Sequence, residues 1–262
     1  MVEDNKNKQG GDWIDVTAPG QKFARGHSHP ISLVTKQVTD IFASMGFLVA
    51  DGPEAESEYY NFDALNVPKD HPARDMHDTF FVADQPETIL RTHISTIQIR
   101  HMENNKPPIR LVAPGRVFRY EATDATHGFQ FHYSEGLMVG ENISLANLKA
   151  VLLHLYRELF GEVVSLRLRP SFFPFVEPGV EVDISCFKCK GVGCPICKQT
   201  GWIEVMGAGM VHPKVFETVG IDPQKWQGFA FGGGLDRIAM LKFGIDDLRL
   251  FYESDLRFLK QF

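Results

Sequence analysis

Residues 110–136, RLVAPGRVFRYEATDATHGFQFHYSEG, have the pattern of two strands joined by a polar turn. Successive side chains of a strand alternate between its two faces, so Phe131, Tyr133 and Glu135 share one face of the second strand. The connection at 122–128 is rich in Thr, Asp, His and Gly, which is typical of a chain reversal. This stretch therefore predicts an antiparallel hairpin at the centre of the fold.

Arg119 and Glu121 are predicted to share a face at the end of the first strand. Pairing of the two strands would bring this arginine, two carboxylates, the loop residue His127 and an aromatic ring onto one concave face. A guanidinium binds phosphate in a bidentate way, a carboxylate binds an ammonium or a hydrated magnesium, and an aromatic ring stacks on a base. A nucleotide site is one interpretation and an ordinary core hairpin with exposed polar residues is the other. This stretch alone does not decide between them.

The composition is that of a globular protein, with 44% hydrophobic and 23% charged residues among 262. A chain of this length forms one large domain or two small ones. No apolar run approaches the ~18 residues that span a bilayer, and the N-terminus does not resemble a signal peptide, so we expect a cytoplasmic protein without membrane contact. The formal net charge of -6 argues against a dedicated nucleic-acid binder, so any RNA contact is expected to be local or supplied by a partner.

Strands outnumber crossover helices along the chain, which predicts an α+β fold with a mainly antiparallel sheet. Apolar residues at helical spacing predict helices at 29–46, 95–104, 144–160 and 235–243. Strands are predicted at 202–205 and 206–211, and the Gly-Ala-Gly at 207–209 is predicted to form a turn. Residues 1–12 are polar and contain Gly-Gly, and they are predicted to form a disordered leader.

The junction at 230–237, AFGGGLDR, is a second sign of chemistry. Three glycines remove side chains where a ligand could approach the backbone, and Arg237 falls in the first helical turn, beside the positive end of the helix. The same glycines would also permit tight packing of the helix on the sheet. The junction alone leaves both interpretations open.

The four cysteines form two CxxC pairs in a short loop at 186–197: Cys186, Cys189, Cys194 and Cys197. Clustered thiols in a cytosolic chain favour a metal over disulfides, and this spacing is typical of a tetrahedral zinc site. Four thiolates leave no position for a substrate, so we expect a structural Zn2+ that fixes an insertion between two strands. Four free buried thiols would be the alternative, and they suit a loop rich in glycine and lysine poorly.

The segment 115–136, GRVFRYEATDATHGFQFHYSEG, resembles motif 2 of class II aminoacyl-tRNA synthetases, and 231–241, FGGGLDRIAML, resembles their motif 3. The predicted helix and strand between His29 and Pro53 resemble motif 1. More closely, the chain resembles the catalytic alpha subunits of bacterial phenylalanyl-tRNA synthetases. Supporting stretches are YYNFDALNVPKDHPARDMHDTFF at 59–81, RTHISTIQIR at 91–100 and RLRPSFFPFVEPGVEVDI at 167–184.

The resemblance covers residues 13–262 and implies one class II synthetase catalytic domain, an antiparallel sheet flanked by helices with a small zinc-binding insertion. It implies that Arg119 holds the α-phosphate of ATP, that Phe131 stacks on adenine and that Arg237 meets the γ-phosphate. The implied ATP-binding residues are Arg119, Glu121, His127, Phe131, Gly234 and Arg237, with Arg119 and Arg237 as the catalytic pair.

A second implied set binds the substrate amino acid. Its polar members would hold the ammonium and carboxylate groups, Phe173 and Phe175 would contact the phenylalanine ring, and Ala230 would set the depth of the pocket. The set is His93, Ser95, Gln98, Tyr133, Glu135, Phe173, Phe175, Ala230 and Gly232. Tyr133 stands where the family usually has Gln, and Ile94 replaces a Thr.

The implied reaction activates L-phenylalanine with ATP and Mg2+ and transfers the product, phenylalanyl-adenylate, to tRNA(Phe). A beta subunit in an (αβ)2 heterotetramer is the implied partner. The long N-terminal helical hairpin that binds tRNA in the family has no counterpart in this sequence. Two alternatives stay open: a paralogue that makes an aminoacyl-adenylate for another acceptor, and a non-catalytic zinc-bearing module that binds RNA or a partner.

Overall fold

A computed structural model describes residues 16–20, 26–70 and 79–262, so the predicted leader at 1–12 lies outside the described residues. The strands, in chain order, are β1 Leu48–Val49, β2 Ala55–Ser57, β3 Phe81–Val82, β4 Gln85–Leu90, β5 Ile109–Phe118, β6 Gln130–Gly140, β7 Leu166–Phe173, β8 Val176–Ser185, β9 Trp202–Val211 and β10 Gln227–Gly234. The α-helices are α1 Pro30–Ser44, α2 Glu58–Asn61, α3 Ser95–Asn104, α4 Leu145–Phe160, α5 Pro213–Thr218, α6 Leu235–Phe243 and α7 Leu256–Leu259. Short 3-10 turns occupy Asp63–Leu65, Pro195–Cys197 and Leu248–Phe251.

The large sheet has seven strands in the order β1-β5-β6-β10-β9-β8-β7. Every pairing in it is antiparallel except that of the edge strand β1 with β5. A second sheet of three antiparallel strands has the order β2-β4-β3. The predicted α+β class with a mainly antiparallel sheet is confirmed.

The two faces of the large sheet carry different helices. Apolar residues of α1, α4 and α6 pack on one face around Phe42, whose ring stacks on Phe231 of β10 at 5.2 Å between centroids. The apolar residues of α3 and α5 pack on the other face. This second face also carries the cavity described below. The helices packed on the first face support the sheet from behind.

The helix ends follow their local sequence. His29 caps α1 because its Nδ1 accepts a hydrogen bond from the backbone N–H of Ile31, and Pro30 supplies the first helical residue. At the start of α4, the Ser144 N–H donates to Oδ1 of Asn147 at 3.0 Å. These caps explain why the predicted starts of α1 and α4 agree with the observed ones to within one residue.

The central hairpin is formed by β5 and β6, paired from Ile109 opposite Val139 to Phe118 opposite Gln130. The first strand ends at Phe118, three residues earlier than predicted, so Arg119 and Glu121 lie in the connection and not within the strand. The backbone turns back there, because the N–H of Glu121 donates to the carbonyl of Arg119 at 2.8 Å. The prediction that these two residues share a strand face was wrong.

The predicted turn within 202–211 was also wrong, because these residues form the single strand β9. Its glycines allow close packing. A Cβ atom on Gly207 would stand 3.0 Å from the ring of Phe173, and one on Gly209 would stand 2.5 Å from the carbonyl oxygen of Pro178. Glycine in a strand marks such close approaches as readily as it marks a turn.

In the described part of the chain, no helix combines the length and the apolar character that a membrane span requires. The helices present here are explained by packing on the two sheets.

Candidate active site

A cavity of about 1360 Å³ lies on the face of the large sheet that carries α3. All the residues that the sequence analysis assigned to ATP or to the amino acid line it: His93, Ser95, Gln98, Arg119, Glu121, His127, Phe131, Tyr133, Glu135, Phe173, Phe175, Ala230, Gly232, Gly234 and Arg237. They come from the central hairpin, the start of α3, the β7–β8 turn and the β10–α6 junction. The structure therefore brings together residues that are far apart in the sequence.

Glu135 is the buried anion of the cavity, with 5% of its surface exposed. Its carboxylate accepts hydrogen bonds from the N–H of Ile94 at 2.9 Å, from Oγ of Ser95 at 2.6 Å and from Nε2 of Gln98 at 2.7 Å. Burial raises the pKa of Glu135, and these three hydrogen bonds and the charge of Arg119 act in the opposite direction. A carboxylate held in this way suits a ligand ammonium group.

Arg119 is the cation on the neighbouring side of the cavity. Its Nε donates to the carbonyl oxygen of Thr92 at 3.3 Å, and its guanidinium carbon lies 5.1 Å from the centre of the Phe131 ring. The carbonyl of Thr92 and the ring of Phe131 fix the guanidinium just beyond the end of β5. A cation over an aromatic face is stabilised by the ring. The charge and the ring that a nucleotide needs are therefore adjacent.

The three glycines of the β10–α6 junction have different surroundings. A Cβ atom on Gly232 would stand 2.7 Å from Cγ of Glu135, and one on Gly233 would stand 2.8 Å from the carbonyl oxygen of Val205. A Cβ atom on Gly234 would meet nothing nearer than Cβ of Arg237 at 3.7 Å. Gly232 and Gly233 are therefore explained by close packing. Gly234 instead leaves open space beside the cavity and Arg237.

Aromatic rings line the side of the cavity near Glu135. Phe173 ends β7 and Phe175 lies in the β7–β8 turn, with their ring centres 6.0 Å apart, and Tyr133 meets Phe131 edge to face at 6.1 Å. Burial, followed by the charge of Glu135, raises the pKa of Tyr133, so its hydroxyl stays protonated and can donate a hydrogen bond. This wall accommodates an apolar ring close to the buried anion.

His127 lies in the exposed β5–β6 connection. Asp124 holds this turn by accepting hydrogen bonds from the backbone N–H groups of Thr126 and His127, which lower the pKa of the Asp124 carboxyl together with the nearby imidazole. Nδ1 of His127 lies 3.1 Å from Oδ2 of Asp124. The imidazole is thereby placed at the solvent side of the cavity.

A group of acidic residues at the cavity edge was not predicted from the sequence. Arg169 on β7 pairs with Glu181 at 2.7 Å, with Glu204 at 2.8 Å and with Asp183 at 2.7 Å, and both glutamates line the cavity. The alternation of Glu181 and Asp183 along one strand was the available signal. Their arrangement depends on the pairing of three strands, which no local pattern specifies.

Asp236, the residue before Arg237, was also missed although it lines the cavity. It is 2% exposed, and its Oδ2 accepts hydrogen bonds from the N–H of His132 at 3.0 Å and from the hydroxyl of Tyr252 at 2.9 Å. It ties the first turn of α6 to β6 and to the C-terminal segment.

The four cysteines form a separate cluster, outside the cavity, in which all Sγ atoms lie within 4.8 Å of one another. Three of the Sγ–Sγ distances are 3.7, 3.8 and 3.7 Å. A tetrahedral zinc with Zn–S bonds of ~2.3 Å requires sulfur atoms about 3.8 Å apart. Backbone N–H groups of Gly193, Cys194 and Gly201 donate to Sγ atoms of the cluster, which stabilises thiolates. The donor set fits a tetrahedral metal ion.

A known sequence family matches almost the whole chain. The family model described as the class II core domain of tRNA synthetases (F) matches residues 13–262. Together with the antiparallel sheet and its cavity, this match defines the class as class II tRNA synthetases.

Curated relatives narrow the class. The phenylalanine–tRNA ligase alpha subunit of Syntrophobacter fumaroxidans is 57% identical over 249 residues, which are 95% of this chain and 73% of the relative. Those of Caldanaerobacter subterraneus and Bacillus subtilis are each 53% identical over 99% of this chain and 76% of the relative. The chain belongs to the family of phenylalanine–tRNA ligase alpha subunits.

Proposed function

We propose that this chain is the catalytic subunit of a phenylalanine–tRNA ligase, with residues 13–262 as its catalytic domain. It activates L-phenylalanine with ATP and transfers the acyl group to tRNA(Phe). The observation that carries this function is that one cavity is lined by the buried Glu135 carboxylate, by the aromatic wall and by Arg119 over the ring of Phe131. An amino acid with an apolar ring and a nucleotide with an anionic tail fit these two neighbouring regions.

The amino acid is held at both ends in this account. Glu135, fixed by Ser95 and Gln98, binds the substrate ammonium group, and Phe173 and Phe175 contact the phenyl ring. A wall with few polar groups opposes a substrate that carries an extra hydroxyl, since that hydroxyl would lose its hydrogen bonds to water. His93, Tyr133, Ala230 and Gly232 complete the pocket.

The chemical step needs only orientation and charge. A carboxylate oxygen of phenylalanine attacks the α-phosphorus of ATP, the bond from that phosphorus to the bridging oxygen breaks, and pyrophosphate leaves with the electron pair. Arg119 and Arg237 stabilise the negative charge that is shared among the phosphate oxygens in the transition state. Phe131 holds the adenine, and His127 and Glu121 contact the nucleotide from the hairpin connection.

Mg2+, when bound with ATP, would offset further phosphate charge. The carboxylates of Glu181 and Glu204 line the cavity and supply the oxygen ligands that this ion prefers. The cysteine cluster would hold a structural Zn2+, which would make 186–197 a zinc-binding insertion. Both assignments rest on the chemistry of the donor groups.

A beta subunit completes the enzyme in this proposal, as an (αβ)2 heterotetramer that works in the cytoplasm, where tRNA is charged. The names of the relatives support such a partner because they are alpha subunits. The exposed edge strand β1 supports it as well, since its side chains Leu48 and Val49 are 57% and 45% exposed.

Tyr133 favours one alternative: a phenol donor beside Glu135 alters the amino-acid pocket, which would suit a paralogue that loads another acceptor. A tRNA charging assay distinguishes the phenylalanine–tRNA ligase from such a paralogue. The chain with its beta subunit should attach labelled phenylalanine to tRNA(Phe) and attach tyrosine far more slowly. Formation of adenylate without charging of tRNA would support the paralogue, and loss of both would support a binding module.

A further inference from the structure

Residues 91–95, which run from the end of β4 to the first residue of α3, contact both halves of the proposed site. The carbonyl oxygen of Thr92 accepts the hydrogen bond from Nε of Arg119 at 3.3 Å, on the nucleotide side. Two residues later, the N–H of Ile94 donates to Glu135 at 2.9 Å, and the Ser95 hydroxyl donates to the same carboxylate. This short segment is therefore hydrogen-bonded to both the cation and the anion of the site.

Asn61 at the end of α2 holds this segment from behind. Its Oδ1 accepts from the N–H of Thr92 at 3.1 Å, and its Nδ2 donates to Oγ1 of Thr92 at 3.0 Å. Its own carbonyl oxygen lies 2.9 Å from Nε2 of His93. Asn61 and Thr92 both have no exposed surface, so water does not compete for these hydrogen bonds.

A different residue holds the preceding part of the segment. Arg91 donates from Nη1 to the carbonyl oxygens of Gly52 and Pro53, and from Nε to that of Arg116. These contacts do not involve Asn61. Loss of the Asn61–Thr92 pair would therefore leave the segment attached at Arg91, at His93 and at Glu135, and would remove the two hydrogen bonds that hold Thr92 between them.

We propose that Asn61 and Thr92, which do not line the cavity, are positioning residues that hold the amino-acid side and the nucleotide side of the site in the correct relative position. The inference rests on the proposed function. Its physical basis is that two substrates react only when their reacting atoms are aligned, so that a displacement of about 1 Å lowers the rate by a large factor. A shift of Thr92 moves the partner of Arg119 and, through Ile94, the partner of Glu135.

Thr92→Val tests the proposal, because valine keeps the shape of threonine and removes Oγ1, the acceptor of the Asn61 amide. In the complex of this chain with its beta subunit, we expect kcat of phenylalanine-dependent pyrophosphate exchange to fall about tenfold or more. The KM values for phenylalanine and for ATP should rise together. Thr92→Ser, which retains the hydroxyl, should restore most of the activity.

Thr96→Val is the matched control. Thr96 is a fully buried threonine four residues further along, in the first turn of α3, and its hydroxyl has no hydrogen-bond partner within the described part of the chain. The same chemical change there should leave kcat and both KM values within about twofold. Asn61→Ala provides a second test, because it removes both side-chain hydrogen bonds to Thr92, and it should lower kcat at least as much as Thr92→Val.

The proposal is overturned if Thr92→Val lowers thermal stability but leaves kcat and both KM values unchanged, since the pair would then be structural only. It is also overturned if only one of the two KM values changes, or if Thr92→Ser is no better than Thr92→Val. Absence of exchange in the wild-type complex is a separate outcome. That result would contradict the proposed function itself, before any variant is compared.

Discussion

Glu135 and Gly232 face each other across the β6–β10 ladder, and a Cβ atom on Gly232 would stand 2.7 Å from Cγ of Glu135. The same atom would stand 2.9 Å from Cε1 of Tyr133. Both neighbours line the cavity, and both are confined by the sheet. The missing side chain at position 232 is thus what lets the carboxylate and the phenol occupy their positions.

Gly232→Ala should therefore raise the KM for phenylalanine by about tenfold or more, because the added methyl group displaces Glu135 and Tyr133. Steady-state pyrophosphate exchange measures this constant. Gly234→Ala is the comparison, since its Cβ would have no neighbour closer than 3.7 Å, and we expect a smaller effect on the same KM. Equal effects of the two substitutions would contradict the packing argument.

Gly207→Ala should narrow the amino-acid pocket at its aromatic wall. A Cβ atom there would stand 3.0 Å from Cζ of Phe173, so the ring must move by a few tenths of an ångström. We expect the KM for phenylalanine to rise several-fold and the KM for ATP to stay unchanged, because the methyl group is small and affects only one side of the cavity. An increase in the KM for ATP alone would indicate that Phe173 contacts the nucleotide, and it would contradict the assignment of this ring to the amino-acid pocket.

Glu135→Gln should change how stability depends on pH. Burial raises the pKa of Glu135 above its ordinary value of 4.5, so the folded wild-type chain binds this proton more tightly than the unfolded chain does. Wild-type stability is then lost as the pH rises from that ordinary value through the raised pKa, at roughly 1.4 kcal/mol per pH unit of the shift.

The glutamine variant has no such proton, so its free energy of unfolding should increase relative to the wild type across the same range. Urea unfolding between about pH 4 and pH 8 measures the difference. A difference that does not vary with pH would show that the pKa of Glu135 is not raised in the folded state.

Metal removal should destabilise the chain. The four thiols fit a tetrahedral ion, and a structural zinc stabilises the folded state by its own binding energy. We expect purified protein to contain stoichiometric zinc and to melt at a lower temperature after treatment with a chelator. Cys197→Ser should lower the melting temperature without the chelator and respond little to it. A metal-free preparation of unchanged stability would contradict the zinc assignment.

The central hairpin, the long helices and the cysteine cluster could be predicted because each is specified by local sequence. Alternation places Phe131, Tyr133 and Glu135 on one face whatever the rest of the chain does. The spacing of the two CxxC pairs similarly limits their geometry, and the four sulfur atoms do lie together. The resemblance to a family then connected residues that the sequence pattern alone leaves far apart.

Features that depend on the pairing of distant segments could not be predicted. The glycines at 207 and 209 suggested a turn because nothing local shows that Phe173 and Pro178 pack against them. Glu181 and Glu204 meet at Arg169 only after three strands have paired. The contact of Asn61 with Thr92 likewise joins α2 to a loop 31 residues away.

The measurement that tests the account most directly is phenylalanine-dependent exchange of labelled pyrophosphate into ATP, with the chain alone and with its beta subunit, compared with an Arg119→Ala variant. We propose that Arg119 supplies the cation at the α-phosphate, so we expect exchange that requires phenylalanine and falls by at least about a hundredfold in the variant. Exchange that persists in Arg119→Ala would contradict the role of this residue. If no amino acid supports exchange even with the partner present, the cavity is not an adenylation site.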